Sequence, residues 1–453
     1  FIIFLISLLL LLAIPTVLIL KKPGPAVPVN NASNLDEVSQ FYYRAVPGLK
    51  MAEAAGMVRD VNKRLEWPGR SFTVAVDRIW YNPKSVYLFY HVEGMTNAAY
   101  LGGELYLPSS EPSLKQPFHG TNSIGRPNEK GIVYNNSYYS CLKLSPLYDT
   151  TGEVIKDIDI LTYTPFINIP GSDDKDLPES VQLKSFEINL SFHSDDEPVT
   201  KVPAGSLLEF DDRQLNFYQV NISPSALSIY FQYLNSGKDK VYRVKGAYTT
   251  DKGETYDFDA YADTITEYPY HYSIDLPPLH ITPDNLQIYI DSIYCTGTDS
   301  VSYEIDTAKY NGKSKTYSVE IGRNQIKSSD LLIEEISLDK QSAEVFIAVK
   351  SPEDTSVPYM KIDLSNPGWY RDEACTKNKA NALTVTNDDF MPFNLDEQVH
   401  GIKSVPDKGV YISFQRDYWN SSKRIRIKLK NLNYIYKIGQ KTSLELDIQE
   451  NQD

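Results

Sequence analysis

The chain has 453 residues, of which 42% are hydrophobic and 23% are charged, a composition that excludes a largely disordered protein. At roughly 100 to 200 residues per domain, this length predicts several domains rather than one small module. The net charge of −14 argues against a nucleic-acid partner, because such proteins neutralise phosphates with basic side chains. With 33 Tyr, 27 Pro and 23 Gly, the composition favours strands and turns.

The first element is an uncharged and mainly apolar run, Phe1–Leu20, which Lys21 and Lys22 end. At about 1.5 Å per residue, a helix of this length matches a hydrocarbon core of about 30 Å. We therefore predict a transmembrane helix over 1–22, with residues 1–20 inside the membrane. A cleaved signal peptide is the alternative, but the apolar region of such a peptide is usually shorter.

The sequence starts with Phe rather than Met, so we expect further residues upstream. The long acidic part after the span is expected outside the cell, because large domains translocate largely regardless of their charge. The predicted location is the cell membrane, crossed once, with the C-terminal domains extracytoplasmic.

Residues 23–33 are rich in Pro, Asn and small side chains, which predicts a semi-extended linker. Such a stretch is a natural site for proteolysis, because extended backbone fits a protease groove. We hypothesise that cleavage here separates the exterior from its anchor. Pro15 weakens the predicted span and would permit a second cut inside the membrane.

A short helical segment is predicted over 34–69, and its pattern is strongest before Gly56. Apolar residues recur at helical spacing from Leu35 to Tyr42, after a helix cap at Ser33 or Asn34. Pro47 and Gly48 then interrupt the pattern, which predicts a second, shorter helical turn.

The remainder alternates apolar and polar residues, as half-buried antiparallel strands require. The sequence contains a repeated hairpin pattern, because Phe72–Gly94 aligns without a gap on Leu215–Gly237. A third copy of the pattern runs through Leu331–Val349. The alignment places Ile79 against Ile222 in the second copy and Ile336 in the third. Further matches are Ser85 with Ser228, Tyr87 with Tyr230, Tyr90 with Tyr233, and Gly94 with Gly237.

These strands and turns predict a mainly β fold of tandem immunoglobulin-like antiparallel β-sandwiches after the span. The predicted sandwiches cover 70–197, 198–310 and 311–453. Boundary signals are the charged Asp195–Pro198 and the turn Tyr310–Lys313. The stretch Leu286–Ile305 is left open as the last strand of the second sandwich or as a further hairpin of the third.

The sequence contains no phosphate-binding loop, nucleophile elbow, dinucleotide-binding loop or HExxH helix. We therefore predict no catalytic, cofactor-binding or metal residues, and no enzyme. The histidines are isolated and expected to be structural or on the surface: His91, His119, His193, His271, His280 and His400. The three cysteines are far apart and expected to be buried or partly buried thiols: Cys141, Cys295 and Cys375.

Four polar or aromatic clusters are weighed as sites. The acidic stretches Asp173–Asp176 and Asp195–Glu197 have Ca²⁺-binding oxygens, but neither is an EF-hand, so solvated loops are favoured. Alternation places Asp257 and Asp259 on one face of a strand, and paired carboxylates serve glycoside hydrolysis where a cleft positions them. The tyrosines of Tyr268–Tyr272 either bind glycan or peptide or pack against neighbouring strands.

Leu49–Asn62 (LKMAEAAGMVRDVN), Phe72–Val76 (FTVAV) and the hairpin to Val92 resemble a family of membrane-anchored ectodomains from Gram-positive bacteria. The family is catalogued as domain of unknown function 4179, with immunoglobulin-like domains following. Members are described as anti-sigma factors or sigma-factor effectors. Where the family has Asp at the hairpin turn, this chain has Asn82, which also suits a turn.

The resemblance implies an exterior domain that senses or binds an envelope ligand and signals to a sigma factor. The sigma factor would be held by a cytoplasmic segment upstream of Phe1. A passive adhesion or wall-associated stalk is the alternative, and a surface hydrolase is the third reading. No cofactor and no nucleic-acid partner are expected.

Overall fold

The computed structural model describes fifteen ranges of the chain. They are 30–69, 71–96, 100–108, 131–149, 151–168, 181–210, 213–234, 239–280, 282–297, 300–309, 330–350, 359–364, 383–388, 402–405 and 408–446. Outside them lie the predicted span 1–22, most of the linker 23–33, the turn Tyr310–Lys313, Asp173–Asp176, and Cys375. Within the described ranges, no helix combines the length and the apolar character needed to cross a membrane.

The described chain is mainly β-strand, arranged in several antiparallel sheets, which confirms the predicted class at this level. Contacts divide it into two compact units. Unit 1 comprises Phe1–Thr200, Ile222–Leu227 and Pro277–Thr282, and unit 2 comprises Lys201–Asn221, Ser228–Leu276 and Pro283–Asp453.

The elements of unit 1 start with a two-residue strand and two helices. They are β1 (Asn30–Asn31), α1 (Leu35–Ala45), α2 (Leu49–Ala54), β2 (Arg59–Glu66), β3 (Thr73–Tyr81), β4 (Val86–Glu93), β5 (Tyr100–Tyr106), β6 (Ile132–Tyr134), β7 (Ser137–Leu144), β8 (Asp157–Asn168), β9 (Val181–Gln182) and β10 (Phe186–His193).

The elements that follow are almost all strands. They are β11 (Thr200–Phe210), β12 (Arg213–Ile222), β13 (Leu227–Leu234), β14 (Lys240–Thr250), β15 (Thr255–Thr264), β16 (His271–Leu276), β17 (Asn285–Thr296), β18 (Ser300–Asp306), β19 (Asp330–Leu338), β20 (Ser342–Lys350), β21 (Tyr359–Asp363), β22 (Leu383–Asn387), β23 (Ile402–Val405), β24 (Gly409–Gln415), α3 (Arg416–Ser421), β25 (Arg424–Lys430) and β26 (Asn433–Glu445).

The two predicted helical turns are present, and the cap is Asn34. Its side-chain oxygen accepts the N–H of Glu37 at 2.9 Å, and the Glu37 carboxylate accepts the N–H of Ser33 at 2.9 Å. These reciprocal bonds satisfy N–H groups that the start of a helix leaves unpaired. Gly48 begins α2 with φ at 80°, a left-handed conformation that glycine adopts without steric cost.

Two predictions about this region need correction. The range 34–69 is assigned to a short helical segment, but helix ends before Gly56 and the second part of the range is strand β2, which pairs antiparallel with β3 and buries Leu65. The predicted linker 23–33 ends in β1, which pairs in parallel with β6. In both places the free edge of a neighbouring strand supplies backbone hydrogen bonds that the local sequence pattern does not reveal.

Unit 1 contains two sheets that contribute to one buried cluster. The six-stranded sheet has the order β1-β6-β7-β4-β3-β2, and the other has the order β10-β8-β5 with β9 beside β8. Val76 and Leu88 from the first sheet share the cluster with Leu161 and Ile188 from the second. A second cluster lies on the opposite face of the six-stranded sheet, where α1 packs against Phe89.

Unit 2 is built on a nine-stranded sheet with the order β11-β12-β13-β16-β15-β14-β17-β26-β21. Smaller sheets have the orders β18-β25-β22 and β19-β20-β24-β23. Strand β17 pairs with β26 from Asn285 opposite Glu445 to Thr296 opposite Asn433. Strands β17 and β18 belong to different sheets, so Leu286–Ile305 is not a hairpin. The three predicted sandwich boundaries stay predictions.

The three repeated segments are hairpins, as the repeat predicts. In the first and third, Ile79 pairs with Leu88 and Ile336 pairs with Val345, so both have the same register. Each also has a bulge three residues before that pair, between Val76 and Arg78 and between Ile333 and Glu335. The strand register of the third hairpin therefore agrees with the sequence alignment to the first.

The second hairpin differs from the gapless alignment by two residues. Its turn starts at Ser223, whose N–H donates to the carbonyl of Ala226 at 3.0 Å, whereas the alignment places the turn start at Ser225. A shift of two residues keeps every side chain on its own face, because side chains alternate with period two. The predicted faces are thus correct although the predicted register is not.

Candidate ligand-binding face

Each hairpin has an inner face of buried apolar side chains and an outer face on its other side. In the first hairpin the outer face is itself core: Phe89 is fully buried, and its ring meets that of Tyr42 in α1 at 5.0 Å. In the second hairpin the outer side chains of β12 and β13 are half-buried, and all but Leu234 are polar or aromatic. This partly exposed outer face is the strongest candidate for ligand contact.

Four rings on this face form a continuous group that we call the aromatic row: Tyr230, Tyr218, His271 and Tyr268. Ring centroids are 6.2 Å apart between Tyr230 and Tyr218, and 5.3 Å apart between Tyr218 and His271. Tyr268 continues the row at 5.4 Å from His271. Such spacing lets each ring support the next without stacking face to face.

Strand alternation explains why the predicted cluster Tyr268–Tyr272 splits into two roles. Tyr272 is buried, where its ring stacks on Phe231 at 5.6 Å, while His271 beside it points outward into the row. Tyr268 is 55% exposed and Tyr270 is 42% exposed, in the turn between β15 and β16. Of the two interpretations of this cluster, packing against a neighbouring strand holds for Tyr272. Tyr268 and Tyr270 are exposed and remain available for contact with a ligand.

Tyr270 has φ at 64°, in the left-handed region that bulky residues rarely occupy. A residue in this conformation costs of order 1 kcal/mol or more, and such strain often accompanies a binding site. The turn around it is closed by three backbone bonds, from Ile265 N–H to the His271 carbonyl at 2.9 Å, from Tyr268 N–H to the Ile265 carbonyl at 3.1 Å and from His271 N–H to the Tyr268 carbonyl at 3.4 Å.

Two members of the aromatic row, His271 and Tyr218, have pKa values shifted in favour of their uncharged forms. Burial lowers the pKa of His271 below its ordinary 6.5, because it disfavours the charged imidazolium. Burial, followed by the neighbouring Tyr230 and Tyr268, raises the pKa of Tyr218 above 10.0. The rings therefore offer neutral aromatic faces rather than ionic contacts.

Amides and hydroxyls border the row. The side-chain amide of Gln219 donates to Asn221 Oδ1 at 2.7 Å, and Asn221 Nδ2 donates to the Tyr230 hydroxyl at 3.1 Å. Nearby, the hydroxyl of Ser228 donates to Asp275 at 2.5 Å. This combination of neutral rings and polar groups suits a ligand with apolar faces and many hydroxyls.

Asp257 and Asp259 lie on one face of β15, as alternation predicts, and both are exposed. Asp259 forms a two-pronged ion pair with the guanidinium of Arg243 across the strand pair. Asp259 is thus bound to Arg243, and the residue directly opposite it on β14 is a second cation, Lys245.

Among the histidines within the described ranges, His91 has the most polar partners. Its Nδ1 lies 2.9 Å from Asp77 and its Nε2 lies 3.4 Å from Glu93, while its ring stacks on Tyr139 at 4.9 Å. Glu93 is also paired with Arg64. Burial opposes a charge on His91, but the hydrogen bonds and charges of both carboxylates outweigh it, so the pKa is raised above 6.5.

The other predicted positions have ordinary surroundings. His193 is exposed and lies 3.0 Å from Asp157. Ser194–Asp196 form a 3₁₀ turn, and Glu197 accepts the N–H of Ser225 at 2.7 Å. His280 is partly buried. Two of the predicted thiols, Cys141 and Cys295, are buried, whereas His119 and His400 fall outside the described ranges.

The described residues contain no group of three or more His, Cys, Asp or Glu side chains placed to hold a metal ion. Sequence reasoning missed Tyr218 as a site residue and used Tyr230 only as a repeat match. Strand alternation could have identified both, because it places Tyr218 and Tyr230 on the outer face of the second hairpin. No helical segment comparable to the one before the first hairpin precedes the second in the sequence.

Comparisons with known proteins add little. No family model matches the chain, and no curated protein matches it. Among solved structures, a conserved domain protein from Bacillus anthracis is 10% identical with a TM-score of 0.27, covering 56% of this chain and 84% of that one. The cycloalternan-forming enzyme from Listeria monocytogenes is 9% identical with a TM-score of 0.15, covering 79% of this chain and 29% of that one.

Proposed function

We propose that this chain is the exterior binding part of a single-pass membrane protein, built from tandem immunoglobulin-like β-sandwiches. The apolar run Phe1–Leu20 supports the anchor, and the buried cluster that two sheets of unit 1 share supports sandwich packing. The protein acts by binding rather than by catalysis. Its bound state is reported to a sigma factor through a cytoplasmic segment upstream, as in the family that the sequence resembles.

The observation that carries the binding proposal is the aromatic row on the outer face of β12, β13 and β16. Its ligand is a neutral stretch of glycan chain of the cell envelope. Sugar rings have apolar C–H faces that pack on aromatic rings, and their hydroxyls bond to amides and carboxylates such as those of Asn221 and Asp275.

Charge supports a neutral sugar over an acidic one. The row itself is neutral at pH 7, and the carboxylates of Asp263 and Asp275 flank it on β15 and β16. A polyanionic ligand would meet these like charges, which weakens association. We therefore expect selectivity for neutral glycan segments.

The test is binding of purified, soluble envelope glycan to the full chain in detergent, measured by isothermal titration calorimetry. The variant Tyr218→Ala, Tyr268→Ala should bind at least about tenfold more weakly, since aromatic ring contacts contribute about 0.5 to 1.5 kcal/mol each beyond the area that they bury. Tyr106→Ala is the matched control, because Tyr106 is exposed but lies in unit 1.

Equal loss in the control, or unchanged affinity in the double variant, would reject the aromatic row as the site. Absence of binding to any envelope glycan by the folded protein would favour the passive stalk. Hydrolysis of the glycan that depends on Asp257 or Asp259 would reject the non-catalytic reading.

A further inference from the structure

Unit 1 contains a surface cleft of about 460 Å³ between α1, β1 and β6. This volume lies within the range of small-molecule sites, which is about 300 to 1,000 Å³. The cleft is separate from the aromatic row, which belongs to unit 2. Its lining residues are Asn30, Asn31, Glu37, Gln40, Phe41, Arg44 and Ile132.

The residues that line the cleft include two apolar and two oppositely charged side chains. Phe41 and Ile132 are 4% and 5% exposed, so they offer a fixed hydrophobic surface. Glu37 and Arg44 lie on the same side of α1, two turns apart. At about 1.5 Å rise per residue, their seven-residue separation sets the Cα atoms of Glu37 and Arg44 about 10 Å apart along the helix.

Glu37 and Arg44 differ in the contacts that they already make within the protein. One oxygen of Glu37 accepts the N–H of Ser33, which holds the carboxylate in place and leaves its second oxygen for a ligand. Arg44 is exposed, and among the described residues no acidic side chain forms an ion pair with it. A cation in a cleft without such a partner is suited to a carboxylate, which guanidinium binds through two parallel hydrogen bonds.

Asn30, Asn31 and Gln40 also line the cleft. Amides donate and accept, so they match the N–H and C=O groups of a peptide backbone. An extended peptide rises about 3.3 Å per residue, so three residues span about 10 Å. This length is close to the separation of the Cα atoms of Glu37 and Arg44 along the helix.

We infer that the cleft binds a short zwitterionic peptide of about three residues. Its amino group lies at Glu37, its carboxylate lies at Arg44, and an apolar central side chain rests on Phe41 and Ile132. This peptide site goes beyond the proposed glycan binding and does not depend on it, because the two sites use different residues in different units.

Calorimetric titration of the full chain with Ala-Leu-Ala tests the assignment. The peptide with free termini should bind, and N-acetylation or C-amidation should each weaken binding about tenfold, as expected for loss of one charged hydrogen bond. Arg44→Gln should weaken binding of the peptide with free termini by the same factor. In this variant, C-amidation of the peptide should cause no further loss of affinity. Glu37→Gln should remove the effect of N-acetylation.

Lys50→Gln is the matched control, since Lys50 is an exposed cation on α2 outside the cleft, and it should leave all affinities unchanged. Glu37→Gln keeps an acceptor oxygen for Ser33, and circular dichroism checks that α1 is intact in each variant. If the folded full chain does not bind the free tripeptide, or if blocking either terminus leaves its affinity unchanged, the assignment is wrong.

Discussion

The first and second hairpins use the same inner pattern and have opposite outer environments. Counting from the turns at Asn82 and Ser223, Phe89 of the first corresponds to Tyr230 of the second, and Trp80 corresponds to Asn221. Phe89 and Trp80 are fully buried in the cluster that includes α1, whereas Tyr230 and Asn221 are half-buried and hydrogen-bonded to each other. The comparison teaches that a repeated strand pattern determines the hairpin, and that the neighbouring layer determines whether its outer face is core or surface.

The third hairpin shows which features belong to the repeat itself. It keeps the register and the bulge of the first, but Glu335 replaces Arg78 beside the bulge and Ala348 replaces His91. The cluster of Asp77, His91 and Glu93 is therefore particular to the first copy. The side chains on the outer faces have diverged while the pairing has not.

The largest expected effect separates the two outer faces by stability. Phe89→Ala should lower the free energy of unfolding by about 3 to 5 kcal/mol, because it leaves a cavity among Tyr42, Arg78 and the sheet. Tyr230→Ala, at the corresponding position, should lower it by about 1 kcal/mol or less. Urea denaturation measures both. Similar losses would mean that the second outer face is covered as completely as the first.

A second change tests whether the strain at Tyr270 serves binding. Tyr270→Gly should raise the free energy of unfolding by about 1 kcal/mol, because glycine adopts positive φ freely. It should also weaken glycan binding several-fold, because a more flexible turn no longer holds Tyr268 and His271 of the aromatic row in place. Denaturation and calorimetry on the same variant give both values. A variant that is less stable, or that binds as the wild type does, would contradict this account.

The third change concerns pH and the cluster that is particular to the first hairpin. The folded-state pKa of His91 lies above 6.5, so its charge stabilises the fold fully below pH 6.5, and this stabilisation disappears as the pH rises through the raised pKa. His91→Gln places there the residue found at the corresponding position, Gln232. The stability difference from wild type should be largest at pH 5 to 6 and smallest above pH 8. A difference that grows with pH would reverse the assignment.

The smallest expected effect distinguishes the turns of the first and third hairpins. Asn82 Oδ1 accepts two backbone N–H groups, and Asp339 Oδ1 accepts the N–H of Gln341 at 2.7 Å and of Ser342 at 2.6 Å. The pKa of Asp339 lies below 3.8 because its carboxylate accepts hydrogen bonds. The largest contribution comes from the backbone N–H of Ser342, the next from the Ser342 hydroxyl, and a further one from the N–H of Gln341.

Stability from this carboxylate is present above pH 3.8 and is lost as the pH falls through the lowered pKa. Asp339→Asn should therefore reduce the loss of stability between pH 4 and pH 2, and Asn82→Asp should increase it. Denaturation at these two pH values measures the effect. Equal acid sensitivity in all three proteins would show that the turn carboxylate contributes nothing.

Much of the fold was accessible from sequence because strand alternation is a local signal. The hairpin faces and the Asn34 cap follow from side chains within a few residues of one another. The pairing of β1 with β6 and of β17 with β26 was not accessible, since it depends on free strand edges far apart in sequence. The aromatic row was only half visible, because Tyr218 and Tyr268 lie 50 residues apart and meet only through the order of the strands.

The most direct test of the central claim is hydrogen–deuterium exchange of the full chain with and without soluble envelope glycan. The account predicts slower exchange in peptides covering 214–234 and 265–275, which carry the aromatic row. Peptides covering 73–93, the corresponding hairpin whose outer face lies under α1, should exchange at the same rate in both states. Protection confined to 73–93, or no protection in either hairpin at saturating glycan, would contradict the claim that the second outer face is the binding surface.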